Sequence, residues 1–439
     1  MIYLDNSATT RTKPKEVISE VVRALTTLSA NPGRSGHIAS LNAALEVGET
    51  RELLCNIFGA ESPENVIFTQ NCTDSLNLAI LGTVKKGGHV ITTAFEHNST
   101  LRPLTFLKEQ GLIELTIVQP KETNKITLLD ILPHVKPNTY LISTVQISNV
   151  DGAETDIFEI GNFCKENNIL YLVDGAQSAG HKRINMQKQN ISMLALAGHK
   201  GLYGPQGIGV LLLNKCPQLK PIKFGGTGTE SYNLIQPTEK PEAFESGTIA
   251  LPNILGLKAG LKFVENNFNK IEEKIKNLTK MLINELKNIK NLKIYTNENN
   301  LNGVVSFNIS NIDSTIVSEF LNEKYQICVR SGLHCAPLKH KHLGTVEQGT
   351  IRASISYFSN QNEISMLIQG IEDFIRTYDV WFIIHYFVYL FILFPAPKLT
   401  RALEEKEYLF SNLSFIFFLE KSISLFINLV KVKPWSLNR

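Results

Sequence analysis

Short and almost continuously apolar runs recur between residues 60 and 215, and they constrain the fold more than any other feature of the chain. Each run ends in a polar or glycine-containing turn. Such runs indicate strands that are buried on both faces, as in a largely parallel sheet covered by helices on each side. The sequence therefore predicts an α/β fold. The predicted strands are 65–70, 88–94, 139–146, 169–174, 191–197 and 207–214.

The pattern changes near residue 254. A long lysine-rich amphipathic helix is predicted over 254–290, followed by strands and helices in mixed order, which is typical of a smaller α+β domain. A chain of 439 residues exceeds the usual size of one hydrophobic core. We therefore predict a large domain over 16–253, and a small domain formed by 1–15 together with 254–378.

The last part of the chain, residues 379–439, forms an atypical apolar tail. Its run at 381–394 has fourteen residues, whereas a helix needs roughly 20 to cross a bilayer. A membrane anchor, an added packing element and the product of a frameshifted reading frame are three interpretations that hydropathy alone leaves open.

Charge and cysteine content exclude several classes of protein. The formal net charge is +3, so nothing in the charge balance indicates binding to nucleic acid. Six cysteines are irregularly spaced without a C-x-x-C pair, which indicates neither a disulfide framework nor a zinc ribbon. The stretch "MIYLDNSATT" lacks the features of a secretory signal. We expect a cytoplasmic protein.

Polar residues follow the predicted strands, where ligands of parallel sheets bind. Lys200 follows His199 in "AGHKGLYGPQG"; a lysine desolvated there would be nucleophilic, although a solvated loop lysine is the more common case. Asp174 ends an apolar strand and needs a positive charge such as a protonated pyridine nitrogen, or else caps a helix. Gln177 could donate to the phenolic oxygen of such a ring.

Other candidates lie at neighbouring strand ends. His97 is placed to lie flat on an aromatic cofactor, although a lone histidine is more often structural. The predicted helix start at Cys72, Thr73 and Asp74 suits a phosphate. Arg352 could pair with a substrate carboxylate or form a surface salt bridge.

The stretch "RSGLHCAPLKHKH" (330–342) holds Cys335 among three histidines. A metal site is one interpretation, but such sites usually draw ligands from two separated pairs, and no second pair is evident. A core cysteine is a poor match to a loop rich in glycine and proline. We favour a nucleophilic Cys335, with thiolate character promoted by nearby His and Arg charges.

These residues stand in an order that resembles the cysteine desulfurases, which are class V aminotransferases of fold type I that depend on pyridoxal phosphate. The resemblance covers roughly residues 2–378 and is nearer to the SUF-type (group II) branch than to the ISC-type branch. Its motifs are "YLDNSATT", "NPGRSGH", "VIFTQNCTDSLNLAI", "EHNSTLRPL", "VDGAQSAG", "GHKGLYGPQGIG", "FESGT", "RSGLHCAPLKHKHLGT" and "GTIRASISYF".

The resemblance implies a role for each candidate. It implies that Lys200 binds the cofactor covalently and moves the Cα proton, and that Cys335 attacks the substrate sulfur. It further implies that Asp174 binds the pyridine nitrogen, that Gln177 binds the phenolic oxygen, and that His97 stacks on the ring and is catalytic. Phosphate binding is implied for Thr73, His199 and, from a partner subunit, Thr248; Cys72, Asp74 and Asn149 are also implied to bind the cofactor. Asn149 and Arg352 are implied to bind the substrate carboxylate. Ala197 departs from the family's usual serine.

The implied activity converts L-cysteine to L-alanine and leaves the sulfur as a persulfide on Cys335, for iron–sulfur cluster assembly or another sulfur-transfer pathway. The resemblance also implies a homodimer and a protein that accepts the sulfur. It implies no metal site. A selenocysteine lyase or another class V lyase or aminotransferase would use the same groups. A non-catalytic sulfur-relay protein tethered by its tail is the alternative outside the enzymes.

Overall fold

The computed structural model describes residues 1–121, 125–214 and 219–393, with side chains described up to residue 378. The strands are β1 (Ile2–Tyr3), β2 (Val66–Thr69), β3 (Gly88–Thr93), β4 (Ile113–Val118), β5 (Thr139–Val145), β6 (Leu170–Asp174), β7 (Met193–Ala197), β8 (Gly209–Leu213), β9 (Leu292–Ile294), β10 (Val304–Ile309), β11 (Ile327–Cys328) and β12 (Ile351–Ser354). The helices are α1 (Lys15–Thr26), α2 (Ile38–Phe58), α3 (Cys72–Gly82), α4 (Asn98–Glu109), α5 (Leu128–Ile131), α6 (Ile157–Glu166), α7 (Leu251–Lys287), α8 (Ser314–Tyr325), α9 (Pro337–Leu343) and α10 (Gln361–Leu393).

A seven-stranded sheet has the order β2-β8-β7-β6-β5-β3-β4. Neighbours from β7 to β4 are parallel, whereas β8 runs antiparallel to both β2 and β7. The predicted α/β class with a mainly parallel sheet is confirmed. The antiparallel direction of β8 was not predicted, because an apolar run carries no information on strand direction.

The apolar runs are explained by burial on both faces of this sheet. Val90, Leu141 and Leu172 pack into the core on one side, while their neighbours Ile91, Ile142 and Val173 pack into the core on the other. Consecutive strand residues point to opposite faces, so a sheet covered on both sides needs apolar residues at every position. The parallel strands place their carboxyl ends along one edge, where the candidate residues follow.

The later part of the chain forms smaller sheets. β10 pairs antiparallel with β9 and β12, and β1 pairs in parallel with β11. The N-terminal strand therefore pairs with a strand of the C-terminal part, and the small domain of 1–15 with 254–378 stays a prediction. The predicted boundary near residue 253 stays a prediction, because contacts divide the chain into the compact units Met1–Gly370 and Ile371–Arg439.

No helix among the described residues is both long and apolar enough to span a membrane. The predicted tail, 379–439, lies outside the residues whose side chains are described, so its three interpretations stay open.

Candidate active site

Asp174 ends β6 as a buried carboxylate. Asp174 is 4 % exposed. Its Oδ1 accepts a hydrogen bond from the backbone N–H of Ala176 at 2.8 Å. Burial raises the pKa of Asp174. Among the described residues, no cation forms an ion pair with it. A buried carboxylate of this kind is stabilised only when a positive group comes to it.

Lys200 follows the neighbouring strand, β7, by three residues. Burial lowers the pKa of its amine, and the negative charge of Asp174 only partly offsets this effect. The thiol of Cys72 lies 3.7 Å from Oδ1 of Asp174, and Lys200 interacts electrostatically with both residues. A lowered pKa increases the neutral, nucleophilic fraction of an amine.

His199, beside Lys200, has an imidazole with spare hydrogen-bonding capacity. Its Nδ1 is buried and has no hydrogen-bond partner in the described residues. Burial lowers the pKa of His199 to about 4, so the ring is neutral. Lys13 donates to the carbonyl oxygen of His199 at 2.9 Å, and burial lowers the pKa of Lys13 to about 8. Lys13 gave no signal in the sequence.

The starts of α3 and α4 meet beside the sheet. The Oγ1 of Thr73 lies 2.8 Å from the hydroxyl of Ser99, and Nδ1 of His97 lies 2.8 Å from the same hydroxyl. Asn71 caps α3 by accepting from the N–H of Asp74 at 3.0 Å. Helix starts present free N–H groups and a partial positive charge, which suits a phosphate.

His97 faces a cavity of about 510 Å³ that Thr73 and Cys335 also line. Burial, with a smaller contribution from the charge of Lys200, lowers the pKa of His97 to about 4. The histidine is therefore a neutral ring at physiological pH. The predicted stacking partner, phosphate-binding residue and nucleophile thus share one cavity.

A second cavity, of about 390 Å³, is lined by Asp74, Asn77 and Thr248. Asn77 also lines the first cavity. The sequence did not indicate this residue as part of the site. Thr248 is exposed and does not line the cavity that contains Cys335. Its role at a partner's phosphate stays a prediction.

Arg352 and Asn149 connect the sheet to the cysteine loop. Arg352 is 1 % exposed and donates through Nη1 to the carbonyl of Asn149 at 2.9 Å and through Nη2 to Asp5 at 2.7 Å. Its Nε is buried and has no hydrogen-bond partner in the part of the chain that the structure describes. Asn149 donates to the carbonyl of His334 at 2.7 Å. Both predicted carboxylate-binding residues thus adjoin the loop that carries Cys335.

Gln177 donates to the backbone carbonyl of Ser7 at 3.1 Å. Its amide nitrogen is therefore held by the N-terminal segment, which also supplies Asp5 to Arg352. The sequence motif "YLDNSATT" marked this segment without a role for either residue. In the structure, this segment holds the side chains of Gln177 and Arg352 by hydrogen bonds.

Cys335 is exposed on a strained loop. His334 and Cys335 have φ values of 48° and 57°, and the left-handed region costs a non-glycine residue roughly 1–2 kcal/mol. Nη2 of Arg330 lies 3.9 Å from Sγ of Cys335. Burial lowers the pKa of His334 to about 2, while its Nε2 lies 3.0 Å from the Thr350 hydroxyl. Positive charge near the thiol therefore comes from Arg330 and not from His334, contrary to the expectation that both contribute.

Two histidines of the same loop, His334 and His340, each have one ring nitrogen next to a threonine hydroxyl. Nδ1 of His340 lies 2.8 Å from the hydroxyl of Thr345. In the part of the chain that the structure describes, no group of three or more His, Cys, Asp or Glu side chains is arranged to hold a metal ion.

The family model for class-V aminotransferases matches residues 2–367. The chain belongs to this family. A probable cysteine desulfurase of Methanothermobacter thermautotrophicus is 32% identical over 382 residues, 85% of this chain and 94% of that protein. Another from Pyrococcus abyssi is 34% identical over 86% of this chain and 95% of its own. The apo structure of a cysteine desulfurase from Thermococcus onnurineus NA1 has a TM-score of 0.80 at 32% identity, covering 86% of this chain and 95% of that one.

Class-V aminotransferases generally use pyridoxal phosphate, and the residues present fit that group. The buried carboxylate of Asp174, which forms no ion pair among the described residues, suits a protonated pyridine nitrogen. Nδ1 of His199, without a hydrogen-bond partner among the same residues, has capacity for a further acceptor or donor. Thr73 stands at a helix start that suits the phosphate. Lys200, with its lowered pKa, is the amine beside this carboxylate.

Proposed function

We propose that this chain is a pyridoxal phosphate-dependent cysteine desulfurase that converts L-cysteine to L-alanine. The observation that carries the proposal is an exposed thiol, Cys335, on the same cavity as His97 and Thr73. An aminotransferase needs no protein thiol at this point. A desulfurase needs one, because the sulfur of the substrate must be taken by a nucleophile.

The cofactor, when bound, supplies an electron sink for the bonds at the substrate's α-carbon. Lys200 holds it and then carries a proton to and from the α-carbon, since its amine loses a proton more readily than an exposed lysine. Asp174 would hold the pyridine nitrogen, and His97 would lie against the ring. Arg352 and Asn149 orient the substrate carboxylate.

The sulfur transfer balances without an added oxidant. The thiolate of Cys335 attacks the sulfur of cysteine, the carbon–sulfur bond breaks, and its electron pair stays with the substrate carbon, which takes up a proton. The products are alanine and a persulfide on Cys335. Nη2 of Arg330 lies 3.9 Å from Sγ of Cys335, beside the sulfur that makes this attack.

The decisive experiment is to incubate the purified protein with L-cysteine and a reductant, and to quantify alanine and sulfide. Equal amounts of both are expected. Lys200→Ala is the control: we expect no alanine, and no cofactor mass on the peptide containing residue 200 after borohydride reduction. Pyruvate in place of alanine would contradict the proposal.

A selenocysteine lyase is the alternative within the enzymes, since the same groups would serve it. Selenium leaves more readily than sulfur without help from a nucleophile. Cys335→Ala separates the two activities: loss of cysteine turnover with retained selenocysteine turnover favours the lyase.

We also propose a homodimer, a protein acceptor for the persulfide sulfur, and a cytoplasmic location. An exposed Cys335 is open to an acceptor's thiol, and a reducing compartment keeps both thiols free. The SUF-type branch stays a prediction.

A further inference from the structure

Lys339 and Asp151 form an ion pair that solvent does not reach. Nζ of Lys339 lies 2.9 Å from Oδ2 of Asp151, and both side chains are 0% exposed. Removing two charges from water costs free energy that their attraction often fails to recover. A gain in the free energy of unfolding therefore does not explain the pair. Its position in the fold is the better guide to its role.

The pair joins two segments at the candidate site. Lys339 lies on α9, four residues after Cys335. Asp151 lies two residues after Asn149, whose side chain donates to the carbonyl of His334 at 2.7 Å. The ion pair and this hydrogen bond thus connect the same two segments on either side of the thiol.

A third segment is held by the same lysine. Nζ of Lys339 lies 3.5 Å from the centre of the Phe95 ring, which attracts a cation. Phe95 precedes His97 by two residues. The backbone N–H of Asn98 donates to the carbonyl of Cys335 at 2.8 Å. Lys339 therefore fixes α9 to the segment that presents the proposed ring-stacking histidine.

The cysteine loop needs such fixation. Its two consecutive left-handed residues, His334 and Cys335, persist only if their surroundings hold them. Cys335 itself is exposed, so its own side chain contributes little packing. The buried contacts of α9, which follows Cys335 in the chain, must therefore hold the loop in place.

We propose that Lys339 and Asp151 are a positioning pair that holds the Cys335 loop against the segments bearing Asn149 and His97. The pair keeps the thiol within reach of the substrate sulfur and takes no part in the chemistry. This inference rests on the proposed function of Cys335 as the sulfur acceptor.

The test compares Lys339→Met, Asp151→Asn and the double variant, all loaded with cofactor. Each single change leaves one buried charge or dipole unmatched, whereas the double variant removes the charges together and is the one expected to fold best. In the double variant we expect kcat for alanine to fall about tenfold or more with a nearly unchanged KM for cysteine, since small misplacements of a reacting group are costly.

Hydrogen exchange supplies a readout that does not depend on activity. The amide of Asn98 and the backbone of 331–343 should exchange faster in the double variant than in the wild type, with cofactor absorbance unchanged. Lys258→Met is the matched control, because Lys258 is a nearly buried lysine paired with Glu46 between α7 and α2, which carry none of the candidate site residues. It should alter neither kcat nor exchange at the loop.

Each outcome decides the matter. Wild-type kcat or wild-type loop exchange in the double variant overturns the positioning role, as does a parallel loss of cofactor. If all three variants fail to fold, the pair serves stability alone and the proposal is wrong. A wild-type protein that makes no alanine contradicts the proposed function instead, and the exchange result then still reports on the loop.

Discussion

At the scale of single residues, the proposed reaction depends most on the thiol of Cys335. Without it, the substrate can still lose sulfide by elimination, which leaves pyruvate; attack by the thiol leaves alanine. We therefore expect Cys335→Ser to keep the bound, coloured cofactor but to lose nearly all alanine formation. Amino-acid analysis and a pyruvate assay measure both products.

The other cysteines provide the control for this variant. Cys328, like Cys335, is a free cysteine, and it is partly exposed. It lies on β11 and lines neither cavity. Cys328→Ser should form alanine at the normal rate. Normal alanine formation by Cys335→Ser would instead remove the persulfide from the mechanism.

Glu96 gives a pH-dependent prediction. It is 0% exposed, and burial raises its pKa to about 8. Its Oε1 accepts from Thr93 at 2.6 Å and from the N–H of Val145 at 3.0 Å. The folded state thus holds a proton that the unfolded state releases near pH 4.5, so this carboxyl's contribution to stability is complete below pH 4.5 and is lost as pH rises towards 8.

Glu96→Gln keeps the accepting oxygen and cannot ionise. Relative to this variant, the wild type should lose free energy of unfolding between pH 4.5 and 8, by at most about 1.4 kcal/mol per pH unit. The difference should be constant above that range. Denaturant titrations at several pH values measure it; a difference independent of pH would show that Glu96 is ionised in the folded protein.

The sequence predicted those site residues whose position relative to a strand end indicates a role. Lys200 and Asp174 follow the ends of buried strands, so their proximity could be predicted from sheet geometry. Lys339 and Asp151 could not be found in this way, because each looks like an ordinary surface charge until the fold buries both. The neutral state of His334 was missed for the same reason: its burial is a tertiary property.

At the scale of elements, the junction of β2 and α3 depends on a glycine in the neighbouring strand. A Cβ on Gly209, at the start of β8, would lie 2.3 Å from the carbonyl carbon of Asn71, the residue that caps α3. Gly209→Ala should shift the start of α3, at a cost of about 1–3 kcal/mol typical of overpacking. Because Thr73 follows that cap, we expect weaker cofactor binding in an equilibrium titration.

Gly48 is the matched control for this change. It lies inside α2, and a Cβ there would meet nothing within 4 Å. Gly48→Ala should stabilise the helix by up to about 1 kcal/mol and leave cofactor affinity unchanged. If both alanine variants bind cofactor equally well, Gly209 does not set the position of α3.

The strands themselves show what a sequence pattern can and cannot reveal. Fully buried β3, β5 and β7 produce apolar runs and were predicted. The edge strand β4, "IELTIV", has exposed Glu114 and several half-buried residues, so its pattern lacks a continuous apolar run and it was missed. The other edge strand, β2, is almost wholly buried and was predicted. Burial, and not position within the sheet, is therefore the property that the pattern reports.

At the scale of the whole chain, the family match ends at residue 367, well before the apolar tail. A chain of residues 1–377 should therefore fold, bind cofactor and form alanine at close to the full-length rate, with a similar thermal midpoint. Calorimetry and the alanine assay compare the two chains. Aggregation or loss of cofactor in the shorter chain would make the tail part of the fold.

The proposed homodimer has a surface that matches it. Phe224, Tyr232, Leu234 and Ile235 are exposed apolar side chains on one segment of the chain, and Leu234 is 101% exposed. Such clusters mark interaction sites, and burying each large side chain contributes about 2 kcal/mol. The segment includes "FGGTGT" (224–229), which resembles elements that complete the neighbouring subunit's site in this fold.

A second copy of the chain is the occupant that this resemblance implies, so a two-fold dimer is expected by sedimentation at micromolar concentration. Leu234→Asp places a charge in that surface and should shift the protein towards monomers, with loss of alanine formation if the partner completes each site. Leu129→Asp is the control, since Leu129 is also exposed, at 72%, but lies on α5. A wild-type monomer with full activity would show that each chain builds its site alone; equal dissociation by both variants would place the interface elsewhere.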